Sequence, residues 1–154
     1  MARSSEFPGA EEWVPPSANL RAMERAVQDC RGCDLYRDAT RAVFGEGRAN
    51  ARVVLVGEQP GDQEDKAGRP FVGPAGRVLD RALADAGIDR DEVYLTNAVK
   101  HFRYTRQGKR RLHKKPDTAH IIACSPWLRA DGRPRNRSSS GPNRPFPPPD
   151  HGMH

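Results

Sequence analysis

The apolar residues Val53-Val54-Leu55-Val56 run without interruption and end at Gly57, a pattern that suits a strand covered on both faces. A second apolar run, Val93-Tyr94-Leu95, reads as another strand. Between them Val78, Leu79, Leu83 and Ala86 recur at helical spacing, behind Pro74 as a first-turn residue and ahead of Gly87 as a stop. Strand, helix and strand in this order predict a βαβ unit with parallel strands and a right-handed crossover. Such a unit brings the loops at 57–65 and 96–100 out of the same sheet edge. Upstream, Leu20, Met23 and Val27 predict a short helix that Ser17 caps and that ends near Gln28. Downstream, Asp117 caps a predicted helix through Ile121, Ile122, Ala123 and Cys124 to about Leu128. Residues 34–50 and 101–116 read as loops.

The two ends differ from this middle. Residues 1–16 read as a loose arm, and 17–128 as the folded domain. Residues 129–154 hold six prolines and five arginines, with Phe146 and Met153 the only large apolar residues. That composition cannot repay the entropy of folding, so the tail is expected to be disordered. A sheet of two strands is small for an α/β domain. The abrupt change at about Arg129 suggests that truncation or a frameshift has replaced the strands that would complete it.

Chemistry concentrates where the predicted strands end. The turn Gly57-Glu58-Gln59-Pro60-Gly61-Asp62-Gln63-Glu64-Asp65 carries four carboxylates. In open α/β sheets ligands bind just past the carboxyl ends of the strands. The turn lacks the Lys and hydroxyl of a phosphate-cradling loop. Asn97, at the other strand tip, can read a base edge by donating and accepting, or can simply cap its own turn. Phe71, between rigid residues, suits stacking on a planar base or packing in a core.

Charge sharpens the picture. Lys and Arg outnumber Asp and Glu by 26 to 20. From Lys100 to Lys115 there are eight Lys or Arg and no acid. Within that run Lys109, Arg110, Arg111, Lys114 and Lys115 surround His113. The cations suit phosphate contacts, and an uncharged imidazole among them can act as a nucleophile. A solvated basic loop is the bland alternative.

Cys30-x-x-Cys33 sets two thiols within reach of one metal centre, with Cys124 and His101 as candidates to complete it. Residue types alone leave zinc and an iron–sulfur core open. Three cysteines in all suit a reducing cytosol better than a disulfide framework. The polar amino terminus shows no apolar leader, and no stretch is long enough to span a membrane. A cytoplasmic protein, associated with the nucleoid at most, is expected.

Four segments carry a family resemblance: Gly57–Asp65, Gly68–Gly76, Thr96–Phe102 and Lys109–His113. Over roughly residues 20–128 the chain resembles the uracil-DNA glycosylase superfamily, specifically its iron–sulfur members and the X-type branch that cross-links itself to uracil-containing DNA. The resemblance implies a three-layer α/β fold with a parallel sheet, here lacking its C-terminal strands. It also implies a 4Fe-4S cluster held by Cys30, Cys33, His101 and Cys124. Gly57, Gln59, Phe71 and Asn97 would bind uracil, Glu58 and Asp62 would serve catalysis, and Lys109, Arg110, Arg111 and Lys114 would hold the DNA backbone. His113 would capture the abasic sugar covalently. The partner implied is uracil-containing DNA, single strands preferred, with the protein a monomer. A hydrolytic glycosylase, a DNA-binding fragment without activity and a zinc-stapled protein of other purpose are the competing expectations.

Overall fold

The computed structural model describes residues 6–16 and 19–131. Strands β1 (Val53–Gly57) and β2 (Val93–Asn97) pair in parallel, with Val53 opposite Val93 and Gly57 opposite Asn97. Every position of β2 is buried. β1 departs from expectation, because Val53 and Val56 are 42% and 51% exposed. The reason lies in its neighbours: among the described residues β1 has a strand on one side only. β2, in contrast, is bridged on its far edge by Glu46 opposite Leu95. Helix α3 (Pro74–Asp85) joins the strands and packs Leu83 and Leu79 against Val93, Leu95 and Leu55. Its apolar stripe is narrower than the spacing predicts, since Val78 is 69% exposed and Ala86 is also exposed.

A second core gathers helix α1 (Leu20–Val27) and helix α4 (Thr118–Asp131) around Met23, Val27, Phe44, Val99 and Trp127. Asn19 caps α1, its Oδ1 accepting the Arg21 N–H at 2.9 Å; the expected cap, Ser17, lies outside the described residues. Residues 6–16 are no loose arm. Ala10 is buried, the Gly9 N–H donates to Gly32 O at 2.8 Å, and the Ala10 N–H donates to Ala123 O at 2.9 Å. Gly32 permits this crossing, because a Cβ there would sit 2.7 Å from the backbone of Gly9 and Ala10.

Three further features depart from the sequence expectation. The polar turn contains a short helix, α2 (Asp62–Ala67). The expected basic loop is an antiparallel hairpin of β3 (Tyr104–Gln107) and β4 (Arg110–His113), turning at Gly108 with φ 62°. Helix α4 runs beyond Leu128, so Arg129–Asp131 belong to the fold rather than to the tail; the rest of the tail, 132–154, lies outside the described residues. Asp131 is fully enclosed and accepts from Lys100 Nζ at 2.9 Å and Thr96 Oγ1 at 2.6 Å. Lys100, equally enclosed, also donates to Thr96 Oγ1 at 2.6 Å and Asn97 O at 2.8 Å. An ammonium with three acceptors can tolerate such burial. Among the described residues no helix is long and apolar enough to cross a membrane.

Removing one partner of an enclosed ion pair strands the other charge. Asp131→Ala should therefore cost about 3–5 kcal/mol in urea denaturation. The double variant Lys100→Met/Asp131→Leu should recover most of that loss.

Candidate functional site

The parallel register puts both strand tips at one place. Beyond the strands the loops stay zipped: Ala98 N–H donates to Gly57 O at 2.8 Å and Val99 N–H to Glu58 O at 3.0 Å. A Cβ on Gly57 would run into Asn97 Oδ1 and lie 2.9 Å from Phe71 Cζ. Gly57, Asn97 and Phe71 therefore converge on one spot, with a bare backbone as floor, an amide on one side and an aromatic ring on another. Phe71 alone among the described non-glycine residues has positive φ, at 56°. Arg90 Nη2 donates to its carbonyl at 3.0 Å and holds that conformation. Backbone held this way costs about 1–3 kcal/mol and is commonest at functional sites.

Two carboxylates that sequence reasoning passed over organise the turn. Glu64 is buried and accepts from the N–H groups of Gly61 at 2.9 Å, Val72 at 2.9 Å and Gly73 at 2.5 Å. Its place three residues after Gly61 is the capping-box spacing, which was the available signal. Asp65 is fully buried and accepts from Thr40 N–H at 2.9 Å and Arg111 Nη1 at 2.7 Å. The carboxylates expected to serve catalysis are more open. Glu58 lies 3.9 Å from Lys115 Nζ, and Asp62 is engaged by Lys66 at 2.9 Å and by Arg111. Lys66 first, and Arg111 with it, hold the Asp62 carboxyl below the usual range, so it is ionised at neutral pH.

Gln59 faces the hairpin with its side chain. Its Oε1 accepts the Arg103 N–H at 2.8 Å and its Nε2 donates to Lys114 O at 3.0 Å, clasping the two chains at the hairpin's base. Arg111 also turns inward. Its Nε donates to Asp62 Oδ1 at 2.6 Å, and its guanidinium lies over Tyr104 and Phe102, 5.0 and 5.4 Å from their ring centroids. A guanidinium so engaged fastens β4 to α2 and has little left for a DNA phosphate; Lys109, Arg110 and Lys114 are exposed. His113, at the end of β4, meets Phe102 edge-on at 5.0 Å. Its Nε2 lies 2.7 Å from the point a Cβ on Gly61 would occupy. The hairpin thus brings the imidazole to the carboxylate turn, far as they are in sequence.

Cys30, Cys33, His101 and Cys124 line a single cavity, with Gly32, Lys100 and Trp127 in its wall. The four donors stand around that space instead of meeting at a point. Among the described residues no three His, Cys, Asp or Glu side chains converge closely enough for one ion. Thiols and an imidazole spread around a cavity fit a multi-iron core, where each iron takes its own protein ligand. Burial pushes the Cys33 thiol up to about 11 and the Cys124 thiol to about 12, so a bound metal would displace a proton from each.

Burial lowers His101 from 6.5 to about 4, against a smaller opposing pull from Asp65. In the metal-free chain the unfolded state therefore takes up this proton first as pH falls. Stability should be intact above pH 6.5 and decline by about 3 kcal/mol towards pH 4. The difference between the native chain and His101→Gln, followed by urea denaturation across that range, isolates the effect.

Residues 44–134 match the uracil DNA glycosylase superfamily. The chain is 41% identical over 111 residues to a type-4 uracil-DNA glycosylase of Sulfurisphaera tokodaii, covering 71% of this chain and 47% of that protein. It is 46% identical over 81 residues to the type-4 enzyme of Thermotoga maritima, covering 53% and 42% respectively. A third type-4 enzyme, from Pyrobaculum aerophilum, is 39% identical over 110 residues, which is 71% of this chain and 53% of that protein. The chain spans about half the length of the curated relatives it matches. The family match takes in both strand tips, α2, the hairpin and α4, and the chain belongs to the uracil DNA glycosylase superfamily.

Proposed function

We propose that the chain recognises uracil in DNA, cleaves its glycosidic bond and captures the sugar through His113, in the manner of the X-type branch. The observation that carries this reading is the approach of His113 Nε2 to Gly61, beside the carboxylate turn. The everted base stacks on Phe71 over the floor at Gly57, and the Asn97 amide pairs with the uracil edge. As the C1′–N1 bond breaks, its electron pair leaves with uracil, and the Asn97 amide stabilises the developing anion. Ionised Asp62, with Glu58, stabilises the positive sugar electrostatically, as carboxylates do in glycoside cleavage. The Nε2 lone pair then bonds C1′, and the imidazole's other nitrogen releases its proton to water. In this reading Gln59 and Arg111 set the hairpin rather than touch substrate, while Lys109, Arg110 and Lys114 contact phosphates. Cys30, Cys33, His101 and Cys124 hold a 4Fe-4S cluster that fastens the amino-terminal segment to α4 and the 96–101 loop.

The likeness to type-4 uracil-DNA glycosylases favours a second reading, in which water captures the sugar and the enzyme turns over. A denaturing gel with uracil-containing single-stranded DNA separates the two. Covalent capture gives a shifted band limited to one adduct per chain and lost in His113→Ala. Free uracil in excess of enzyme, with no shifted band, supports hydrolysis. A chain that does neither refutes both.

The phosphate contacts have their own signature. Lys109→Ala and Arg110→Ala should each reduce the salt dependence of single-strand binding by about 0.7 in the slope of log K against log salt. Fluorescence anisotropy at several salt concentrations reads this directly.

A further inference from the structure

Each sulfur atom around the cavity faces at least one N–H group. Cys30 Sγ accepts from Trp127 Nε1 at 3.2 Å and from the Gly32 N–H at 3.5 Å. The backbone N–H of Leu35 faces the Cys33 sulfur, and that of Lys100 faces Cys124. Trp127 supplies the side-chain member of this set. An indole N–H can only donate, so the direction of its bond is settled. The residue is fully buried, with Phe44 edge-on at 6.0 Å, so its N–H has no solvent to turn to.

We infer that Trp127 is a positioning and tuning residue for the iron–sulfur core, raising its reduction potential through the hydrogen bond to Cys30 Sγ. This rests on the cluster assignment made above. One electron added to the core increases negative charge on the ligating sulfurs. A fixed N–H at Cys30 stabilises that form more than the oxidised one, with no bond made or broken. His101 acts in the same direction, since a neutral imidazole in place of a thiolate removes one negative charge from the ligand set. The enclosed Lys100 ammonium lines the same cavity, though its charge is matched by Asp131. The cavity wall therefore favours an electron-rich core, and Trp127 is where a single N–H can be deleted.

The test uses the full chain loaded with iron and sulfide. Its midpoint potential is measured by titration with low-potential one-electron mediators. Two variants are compared, Trp127→Phe and Trp127 replaced by benzothienylalanine, which keeps the ring shape and lacks the N–H. A downward shift in the benzothienylalanine protein at unchanged iron and sulfide content is the expected result. An unchanged potential in that loaded protein overturns the inference, whatever Trp127→Phe does to folding. Failure of the native chain to take up iron and sulfide overturns the cluster assignment and this inference together. Loaded protein with an unmoved potential overturns this inference alone.

Discussion

Glu64 and Asp65 sit side by side on a short helix and answer for most of the site's geometry. Glu64 gathers the N–H groups of Gly61, Val72 and Gly73, so the turn after β1 and the segment carrying Phe71 share one anchor. Asp65 gathers Thr40 and Arg111, so the loop after the cysteine pair and the basic hairpin share the next. Hydrogen bonds to a charged acceptor are stronger than neutral ones, and leaving one unmade in a buried place is costly. Neither carboxylate is free to touch a substrate. Their role is to make four chain segments rigid relative to one another, as a preorganised pocket requires.

A second buried charge extends this rigidity towards the cysteines. Lys100 binds the Asn97 carbonyl, Thr96 and Asp131, and it also lines the cavity that His101 and Cys124 share. The amide facing Gly57 and the imidazole facing the cavity are four residues apart on one loop, with Lys100 between them. Lys100 thus ties the backbone at Asn97 to the wall of the cavity that His101 and Cys124 line. The proposed cluster, bound in that cavity, would act on the spot where Gly57, Asn97 and Phe71 converge through packing rather than chemistry.

Much of this was legible in the residues, for physical reasons that can be named. Uninterrupted apolar runs and Pro and Gly at the helix ends marked the parallel unit, and parallel pairing sends both strand-end loops to one sheet edge, where the observed register sets Gly57 opposite Asn97. The hairpin was hidden because Thr105, Arg106 and Gln107 are exposed on β3, leaving no apolar alternation to detect. Helix α2 is only six residues long and is held by Glu64, a tertiary carboxylate interaction with no periodic signature. Arg111 looked like its basic neighbours in sequence; only the fold shows that it alone among Lys109, Arg110 and Arg111 has Asp62 and Asp65 beneath it. The outward face of β1 went unread because a run of valines cannot say how many neighbours its strand has.

In the proposed reaction, the hairpin also bears on the choice between water and protein as the sugar's captor. A water molecule reaches a cation in a pocket only if the space on the attacking face is open. Here the hairpin places an imidazole nitrogen against Gly61, and Arg111 and Gln59 clamp that hairpin from two sides. A nucleophile held in place has lost its translational freedom beforehand, an advantage water lacks. Phe102, itself buried, meets the exposed imidazole edge-on from the protein side. Lys66 and Arg111 hold the Asp62 carboxyl below the usual range, which makes it a weak base, better suited to steadying positive charge than to deprotonating water in the proposed reaction. The contacts that make the hairpin rigid are thus the ones that favour the proposed capture by His113 over capture by water.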